Sequence, residues 1–312
     1  MTGASGFVGG ALVKRLATDP SFNGVLAAVR RKAAFIEGVQ QVQVADLLPT
    51  TDWKIVLQGV DVVIHCAARV HVMKDVATDP LQAYREVNVL GTLNLARQAA
   101  QEGVNRFLFL SSIKVNGEAT RPGQPFTADE VPAPLDPYGI SKLEAEQGLR
   151  KIEAQTGMEV AIVRSPLVYG PGVKANFASM MRWVSRGVPL PLGAIYNSRS
   201  MVALDNLVDL LVTCVNHPAA AGQTFLVSDG EDVATAELLR RTAHAMNKKA
   251  FLFPVPAFLL EWAAGLLGKR EVVQRLCGSL QVDIDKTCHL LRWTPPLTLD
   301  QGLKKAVEDM KH

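Results

Sequence analysis

The 312-residue sequence predicts an α/β fold with a doubly wound parallel sheet, followed by a smaller C-terminal lobe. The first reason is that short apolar runs alternate with helical patterns through the first half of the chain. The second is that these runs are dense in Val, Ile, Leu and Phe, as in strands that are buried on both faces. The predicted strands cover residues 25–29, 42–45, 62–67, 107–111 and 160–163.

The first predicted helix covers residues 7–17, with its apolar residues on one side. It follows a glycine-rich loop, which allows a sharp turn and a close approach of the backbone to a pyrophosphate. The residues predicted to bind a dinucleotide there are Gly3, Gly6, Phe7, Val8 and Gly9. Such a loop normally leaves a buried strand, and the sequence printed before it contains none. We therefore expect the sheet to lack its first strand in this chain, and the natural start to lie several residues before Met1.

The residues after the strand at 25–29 indicate which dinucleotide is bound. An NAD-selective protein usually places Asp or Glu there, whereas this sequence has Arg30, Arg31 and Lys32. Guanidinium groups bind a 2′-phosphate that a carboxylate would repel. Arg30 and Arg31 are therefore predicted to select NADP(H), with NAD(H) as the second option. A solvated basic turn is the alternative interpretation.

Two other strand ends are predicted to contact the cofactor. Asp46 and Leu47 follow the strand at 42–45 and are expected to frame the adenine. Ala67 and Ala68 follow the apolar run that begins at residue 62, where small side chains allow the cofactor to approach closely.

Tyr138 and Lys142 lie four residues apart in a helix predicted over residues 137–155, which Asp136 can cap. This spacing puts both side chains on one helical face. A free phenol has a pKa of about 10, and an ammonium one turn away favours the phenolate, so the pair suits acid–base chemistry. Ser112, at the end of the preceding strand, can hydrogen-bond a reacting carbonyl or alcohol.

The remaining pattern divides the chain between two lobes. Further elements are predicted at residues 80–101 (helix), 205–216 (helix) and 224–227 (strand). Residues 1–165, with a return segment at about 200–228, are predicted to form the dinucleotide-binding domain. Residues 166–199 and 229–312 are predicted to form the smaller lobe.

Several motifs occur in the order typical of one family. They are Thr2-Gly-Ala-Ser-Gly6-Phe-Val-Gly9, His65-Cys-Ala-Ala68, Asn88-Val-Leu-Gly-Thr92, Ser111-Ser112, Tyr138 with Lys142, and Arg164-Ser-Pro-Leu-Val-Tyr-Gly-Pro-Gly172. On these motifs, which span the chain nearly end to end, the sequence resembles the extended short-chain dehydrogenases/reductases, also called the NAD-dependent epimerase/dehydratase family. The resemblance implies a Rossmann sheet and a catalytic set of Ser112, Tyr138 and Lys142, with Asn88 supporting the geometry.

The resemblance also implies a substrate. It would be a nucleotide-linked sugar in the second lobe, where Asn176 and Arg199 match positions that touch the nucleotide diphosphate; a surface arginine is the alternative for Arg199. Ser112 would contact the sugar, Lys142 and Pro166 would contact the cofactor, and Arg275 is a candidate second arginine for the diphosphate. A homodimer built from the helices at 80–101 and 137–155 is implied by the resemblance alone.

Three reactions dominate similar enzymes: 4-epimerisation, 4,6-dehydration and ketoreduction. Dehydratases carry Asp-Glu directly after the catalytic hydroxyl, where this chain has Ile113 and Lys114, so dehydration is not expected. The basic turn at Arg30 and Arg31 favours NADPH and hence net reduction. The stretch Ser111-Ser-Ile-Lys-Val-Asn-Gly-Glu118 also resembles bacterial 4-ketoreductases, and this resemblance implies reduction of the C4 ketone of a UDP-4-keto-6-deoxy-N-acetylhexosamine for surface polysaccharide. The alternatives are a UDP-glucose or UDP-GlcNAc 4-epimerase and, further off, a non-catalytic dinucleotide-binding protein.

The composition also bears on possible partners, metal binding and membrane insertion. The net charge of +3, without a Lys/Arg block, gives no reason to expect a nucleic-acid partner. The four cysteines lie far apart and the six histidines show no metal-ligand spacing, so a cytoplasmic protein with reduced thiols and no metal is predicted. The apolar segment at 251–268 is interrupted by Pro254, Pro256 and Glu261 and is too short for membrane insertion. We expect it to pack on the core or the lobe, with contact to a membrane surface as the alternative.

Overall fold

The computed structural model describes residues 1–70, 79–121, 123–266, 273 and 276–310. Its strands are Val25–Val29 (β1), Val39–Gln43 (β2), Val62–His65 (β3), Arg106–Ser112 (β4), Glu159–Ser165 (β5), Leu167–Tyr169 (β6), Arg199–Ala203 (β7), Thr224–Leu226 (β8) and Asp232–Val233 (β9). β1 and β2 pair in parallel, and β3, β4, β5 and β8 form a parallel sheet in that order.

The first two residues join these two groups of strands. Thr2 forms parallel bridges with Ala28 in β1 and with His65 in β3. The backbone N–H of Ala28 donates to the carbonyl of Met1 at 2.8 Å, and the N–H of Thr2 donates to the carbonyl of Ile64 at 3.0 Å. The glycine loop therefore begins in the middle of one continuous parallel sheet.

Helices cover both faces of this sheet. They are Phe7–Ala17 (α1), Lys54–Leu57 (α2), Pro80–Tyr84 (α3), Thr92–Gln101 (α4), Pro137–Thr156 (α5), Ala175–Ser185 (α6), Leu204–Asn216 (α7), Thr235–Ala245 (α8), Ala257–Leu266 (α9), Asp285–Leu291 (α10) and Leu299–Asp309 (α11). Leu12 of α1 and Leu211 of α7 belong to the core on one face, and Leu95 of α4 and Leu149 of α5 to the core on the other. The predicted doubly wound α/β class is confirmed.

Two elements differ from the sequence prediction. The helix predicted at 80–101 changes to π-helical geometry over Arg85–Gly91, between α3 and α4. Gly91 lies in this segment against Leu47, where a Cβ would stand 2.5 Å from the Leu47 carbonyl oxygen. The strand predicted at 42–45 starts three residues earlier, at Val39 (β2). β2 is an edge strand whose residues are all partly or fully exposed, so no dense apolar run marks its position in the sequence.

The smaller part of the chain forms a second sheet and two further cores. β6 and β7 pair in parallel, and β9 pairs antiparallel with β7. One core groups Tyr169, Met181 and Leu303, from β6, α6 and α11. Within the described ranges, each helix is too short or too polar to cross a bilayer.

A buried histidine links the glycine loop to the helix layer. The Nδ1 of His65 is hydrogen-bonded to the Thr2 hydroxyl at 2.6 Å, and its Nε2 to the Thr92 hydroxyl at 2.9 Å. The ring stacks on Phe109 with the centroids 5.7 Å apart. Burial, with the positive charge of Lys142 as a smaller cause, lowers the pKa of His65 to about 3. His65 therefore stays neutral in the folded protein throughout the physiological range.

This low pKa predicts a loss of stability in acid. The unfolded chain takes up a proton on His65 near pH 6.5, which the folded protein excludes until about pH 3. The free energy of unfolding is thus expected to fall by about 3 kcal/mol on this account between pH 7 and pH 4. Urea unfolding of His65→Gln should show a smaller pH dependence than the wild type. His289→Gln, at an exposed position, serves as the control, and an equal loss of pH dependence there would contradict the assignment.

Candidate active site

The glycine loop runs from the centre of the sheet into α1. Gly3 has a φ of +69°, and a Cβ there would stand 2.7 Å from the backbone nitrogen of Ala67. A Cβ on Gly9 would overlap the carbonyl of Gly3. Gly6 is the N-cap of α1, so no capping side chain occupies the start of the helix. Only glycines allow this turn and helix to lie so close to the sheet.

The start of α1 offers backbone donors for an anion. N–H groups in the first turn of a helix have no acceptor within the helix, and the positive end of the helix dipole lies there. In this chain those groups belong to Phe7, Val8 and Gly9. The glycine cradle and this donor set fit the diphosphate of a dinucleotide.

The residues after β1 and β2 form the outer rim of this loop region. The Arg30 Nη1 lies 3.0 Å from the Asp46 Oδ1, and both side chains are largely exposed. Arg31 is also exposed, so both arginines are open to a ligand. Leu47 instead packs into the core beneath Gly91. Its contact with the adenine stays a prediction.

Ser112 and Tyr138 meet at the carboxyl end of β4. Ser112 caps the short turn Ile113–Val115, its Oγ accepting from the Lys114 N–H at 3.3 Å. Asp136 caps α5 by accepting from the Gly139 N–H at 2.6 Å, which sets Tyr138 in the first turn. The interaction with Ser112 lowers the pKa of Tyr138, which places the two side chains next to each other. The predicted serine and tyrosine are therefore brought together.

Burial, with the Asp136 carboxylate as the second cause, raises the pKa of Tyr138 to about 12, and the interaction with the Ser112 side chain offsets this only in part. The sequence predicted the opposite direction, with Lys142 lowering this pKa. This prediction is wrong, because removal of the phenol from water disfavours the phenolate. The phenol is protonated at neutral pH.

Lys142 is buried one turn further along α5. Its Nζ donates to the Leu110 carbonyl at 2.8 Å and lies 4.1 Å from the centre of the Phe109 ring. Burial lowers the pKa of Lys142 to about 8, while the charges of Glu146 and Cys66 act in the opposite direction. The ammonium is thus fixed to the end of β4, two residues before Ser112.

Asn88 is buried in the π-helical segment beneath this group. Its Oδ1 accepts from the Arg69 N–H at 2.8 Å, and its Nδ2 donates to the Arg69 carbonyl and to the Ser141 hydroxyl, each at 3.1 Å. Asn88 therefore connects the chain after β3 to α5, between Tyr138 and Lys142.

A buried ion pair supports the same helix and was not identified from the sequence. The guanidinium of Arg164, on β5, binds Glu146 with Nη2 and Oε2 2.6 Å apart. Glu146 also accepts from the Ser111 hydroxyl at 2.5 Å, and Arg164 donates to the Asn116 Oδ1 at 3.0 Å. Glu146 follows Lys142 by four residues, a spacing that could have revealed it on the catalytic face.

The positions of the dehydratase acid pair hold no acid. Ile113 is buried in an apolar cluster, and the Lys114 ammonium pairs with Asp136 and lies 3.6 Å from Glu118. Neither side chain can deliver a proton as a carboxylic acid does.

Of the predicted substrate residues, Ser112 lies beside Tyr138, whereas Asn176 and Arg199 belong to α6 and β7. Arg199 begins β7, and its Nη1 donates to the Gly278 carbonyl at 3.0 Å. Pro166 is buried between β5 and β6. Asn176 is in the first turn of α6, and its side chain, like the whole of Arg275, falls outside the described residues. Across the described ranges no cluster of His, Cys, Asp and Glu could hold a metal ion.

A parallel sheet with a glycine cradle at its centre, and with a Ser–Tyr–Lys group at the carboxyl end of its interior strand β4, defines an NAD(P)-dependent α/β enzyme. Residues 1–228 match the model of the NAD dependent epimerase/dehydratase family, and the chain belongs to that family. A UDP-glucose 4-epimerase of Vibrio cholerae is 50% identical over 309 residues, covering 99% of this chain and 94% of that protein. The chain is thus an NAD(P)-dependent nucleotide-sugar enzyme.

Two solved structures share the fold. UDP-glucuronic acid 4-epimerase from Bacillus cereus in complex with NAD is 21% identical with a TM-score of 0.79, covering 99% of this chain and 97% of that one. RMD from Pseudomonas aeruginosa, complexed with NADPH, is 24% identical with a TM-score of 0.74, covering 98% and 96%. The fold is thus found with either dinucleotide.

Proposed function

We propose that this protein interconverts the C4 epimers of a UDP-hexose, of the UDP-glucose or UDP-GlcNAc class. The observation that carries the proposal is the adjacent pair of Ser112 and Tyr138 at the end of β4, in a chain half identical to a UDP-glucose 4-epimerase over nearly its full length. This is the alternative that the sequence left open, and it replaces net ketoreduction as the first choice.

The chemistry divides between cofactor and side chains. Held by the glycine loop and the first turn of α1, the oxidised dinucleotide would supply a positively charged, reversible hydride acceptor for C4. Tyr138 takes the proton of the C4 hydroxyl. It returns the proton after the 4-keto sugar has rotated to present its opposite face. Ser112 hydrogen-bonds the same oxygen as its charge develops. Because a cation favours a phenolate, the positive charge of a bound oxidised dinucleotide would oppose the effect of burial on the pKa of Tyr138.

Reduction of a UDP-4-keto-6-deoxy-N-acetylhexosamine is the second candidate, since the same three side chains would serve it. The basic turn at Arg30 and Arg31 favours this reaction, because a 2′-phosphate suits a cofactor that is consumed at each turnover. The carboxylate of Asp46, 3.0 Å from Arg30, counts against it by offsetting one of the positive charges.

The purified protein, incubated separately with UDP-glucose and UDP-GlcNAc, tests the choice between these reactions. Epimer formation without added reductant supports the first candidate. Stoichiometric loss of NADPH with the 4-keto-6-deoxy sugar, and no epimer from either UDP-sugar, would establish the second.

The dinucleotide is proposed to bind residues 1–165 and the return segment at about 200–228. The nucleotide sugar is proposed to bind residues 166–199 and 229–312, through Asn176 and Arg199. Burial lowers the pKa of Arg199, which fits a position that gains from an anionic ligand.

Asp46 is predicted to weaken NADP(H) binding relative to NAD(H). Replacing Asp46 by alanine frees the Arg30 guanidinium and removes a negative charge that repels a 2′-phosphate. We expect the ratio of NADPH to NADH affinity to rise about three- to tenfold, measured by cofactor fluorescence. Asp52→Ala, a control among exposed carboxylates, should leave the ratio unchanged. An unchanged ratio in Asp46→Ala would contradict the proposed cofactor contact.

A homodimer is also proposed, through the surface of α4 and α5. A groove between these helices is lined by Leu93, Arg97, Gly148 and Ile152, among others. Light scattering on the purified protein should give twice the chain mass, and Arg97→Glu should reduce it. A monomer at all concentrations would exclude this contact.

A further inference from the structure

Large aromatic side chains are exposed together on the smaller part of the molecule. Trp183, Phe251, Phe253, Phe258 and Trp262 are each between 46% and 68% exposed, and we call this set the aromatic face. It covers the core formed by Val184, Leu190, Leu192, Ile195, Leu239 and Ala243. Single exposed apolar residues are ordinary in proteins, whereas a group of five large ones indicates an interaction surface.

The backbone explains why two of the phenylalanines point outward. Residues 251–253 run beside Leu190, whose N–H donates to the Phe251 carbonyl and whose carbonyl accepts from the Phe253 N–H, both at 2.8 Å. Leu252 packs on the core, so its neighbours on either side point away from it, as in any extended segment. Phe251 and Phe253 are therefore held outward by a paired backbone.

Helix α9 continues the aromatic face. Ala257 and Leu260 pack on the same core, whereas Phe258, Leu259 and Trp262 are exposed. Phe258 and Trp262 are four residues apart and share one side of the helix. The sequence predicted that this segment packs on the core or the lobe; Ala257 and Leu260 do so, whereas the aromatic residues Phe258 and Trp262 are exposed.

Trp183 adjoins this segment through the turn after α6. Its carbonyl accepts from the Val188 N–H at 3.0 Å, and Gly187 of the same turn lies against the Phe251 ring. A Cβ on Gly187 would stand 3.7 Å from that ring. Trp183 is thus a neighbour of Phe251, and α9 packs on the same core as the segment that carries Phe251 and Phe253.

Basic residues border the aromatic face. Arg182 and Arg186 flank Trp183, and Lys248 and Lys249 precede Phe251; all four are exposed. The Lys248 ammonium donates to the Ser185 carbonyl, which brings the two basic pairs to the same edge. The segment 248–266 contains one acidic residue, Glu261. This edge of the aromatic face is therefore positively charged, which favours a partner that carries negative charge.

We propose that the aromatic face docks peripherally on an anionic phospholipid bilayer, with α9 lying in the plane of the headgroups. Trp and Phe prefer the boundary between headgroups and acyl chains, and bordering Lys and Arg are attracted to anionic lipids. A second copy of the chain fits less well, because a symmetric contact would bring both sets of basic residues together. At ten residues α9 is about 15 Å long and lies on the bilayer without crossing it.

Flotation of the purified protein with vesicles tests this proposal. The protein should float with vesicles of phosphatidylcholine and phosphatidylglycerol, and not with phosphatidylcholine alone. The Trp fluorescence should shift to shorter wavelength on binding. The double variant Phe258→Ser/Trp262→Ser should lose flotation, while Ile55→Ser, at an exposed apolar position on α2, should keep it. Circular dichroism and thermal melting of each variant show whether the fold is retained.

Charge reversal provides a second, independent variant. Lys248→Glu/Lys249→Glu should lower the vesicle partition coefficient about tenfold or more, and added salt should do the same for the wild type. Failure of the wild type to float with phosphatidylglycerol vesicles would overturn the proposal. So would unchanged flotation of the folded Phe258→Ser/Trp262→Ser variant. A fall in oligomer mass in that variant, without wild-type vesicle binding, would assign the face to a second copy instead.

Discussion

Replacing Tyr138 by phenylalanine is expected to lower kcat about 10²- to 10⁴-fold while leaving dinucleotide affinity near the wild-type value. The reason is that the phenol, next to the Ser112 side chain at the end of β4, is the proposed acid and base at the C4 oxygen. The ring itself, and hence the packing, is retained. Steady-state turnover of UDP-glucose and fluorescence titration with NADH measure the two quantities separately.

Tyr84 offers a matched control for this substitution. Its ring is buried and packs edge-on against the Tyr138 ring, with the centroids 6.0 Å apart. Tyr84→Phe removes a hydroxyl from the same neighbourhood and should change kcat by no more than about threefold, since it removes no proposed proton carrier. Equal losses in the two variants, or normal turnover in Tyr138→Phe, would remove Tyr138 from its proposed role.

Replacing Arg164 by methionine is expected to lower the free energy of unfolding by about 3–5 kcal/mol. Arg164 and Glu146 are each only 5% exposed, so the substitution leaves a buried carboxylate without its cation. It also removes the donor to the Asn116 side chain. Urea unfolding at pH 7 measures the loss.

The ion pair of Arg85 with Glu144 provides the control for this substitution, since Glu144 lies on α5 like Glu146. Their side chains are 41% and 30% exposed, and an exposed pair of this kind is worth at most about 1 kcal/mol. Arg85→Met should therefore be several kcal/mol more stable than Arg164→Met. Similar stabilities of the two variants would show that the buried pair does not hold the end of β4 to α5.

Features with a local cause could be predicted from the sequence. Helix α1 and strand β1 have the predicted bounds, and α5 starts at Pro137 as predicted. Each of these elements is determined by residues close in sequence: the glycine loop before α1, the apolar run of β1 and the Asp136 cap of α5. The family was also predicted correctly from motifs of this kind.

Features that depend on contacts distant in sequence could not be predicted. The ion pair of Glu146 with Arg164 joins a helix to a strand, and the Lys142 ammonium meets a carbonyl of β4. The raised pKa of Tyr138 follows from burial, which helical spacing does not reveal. The π-helical turn at Arg85–Gly91 is equally hidden, since its residues also suit an ordinary helix.

The central claim is that Tyr138 and Ser112 act in a reaction that returns both proton and hydride to the sugar. UDP-glucose carrying deuterium at C4 tests it directly. The account predicts UDP-galactose that keeps its deuterium at C4, formed without consumption of added NADH or NADPH, and strongly reduced formation with Tyr138→Phe. Loss of the deuterium from the sugar, or product formation only with stoichiometric consumption of reductant, would contradict the account.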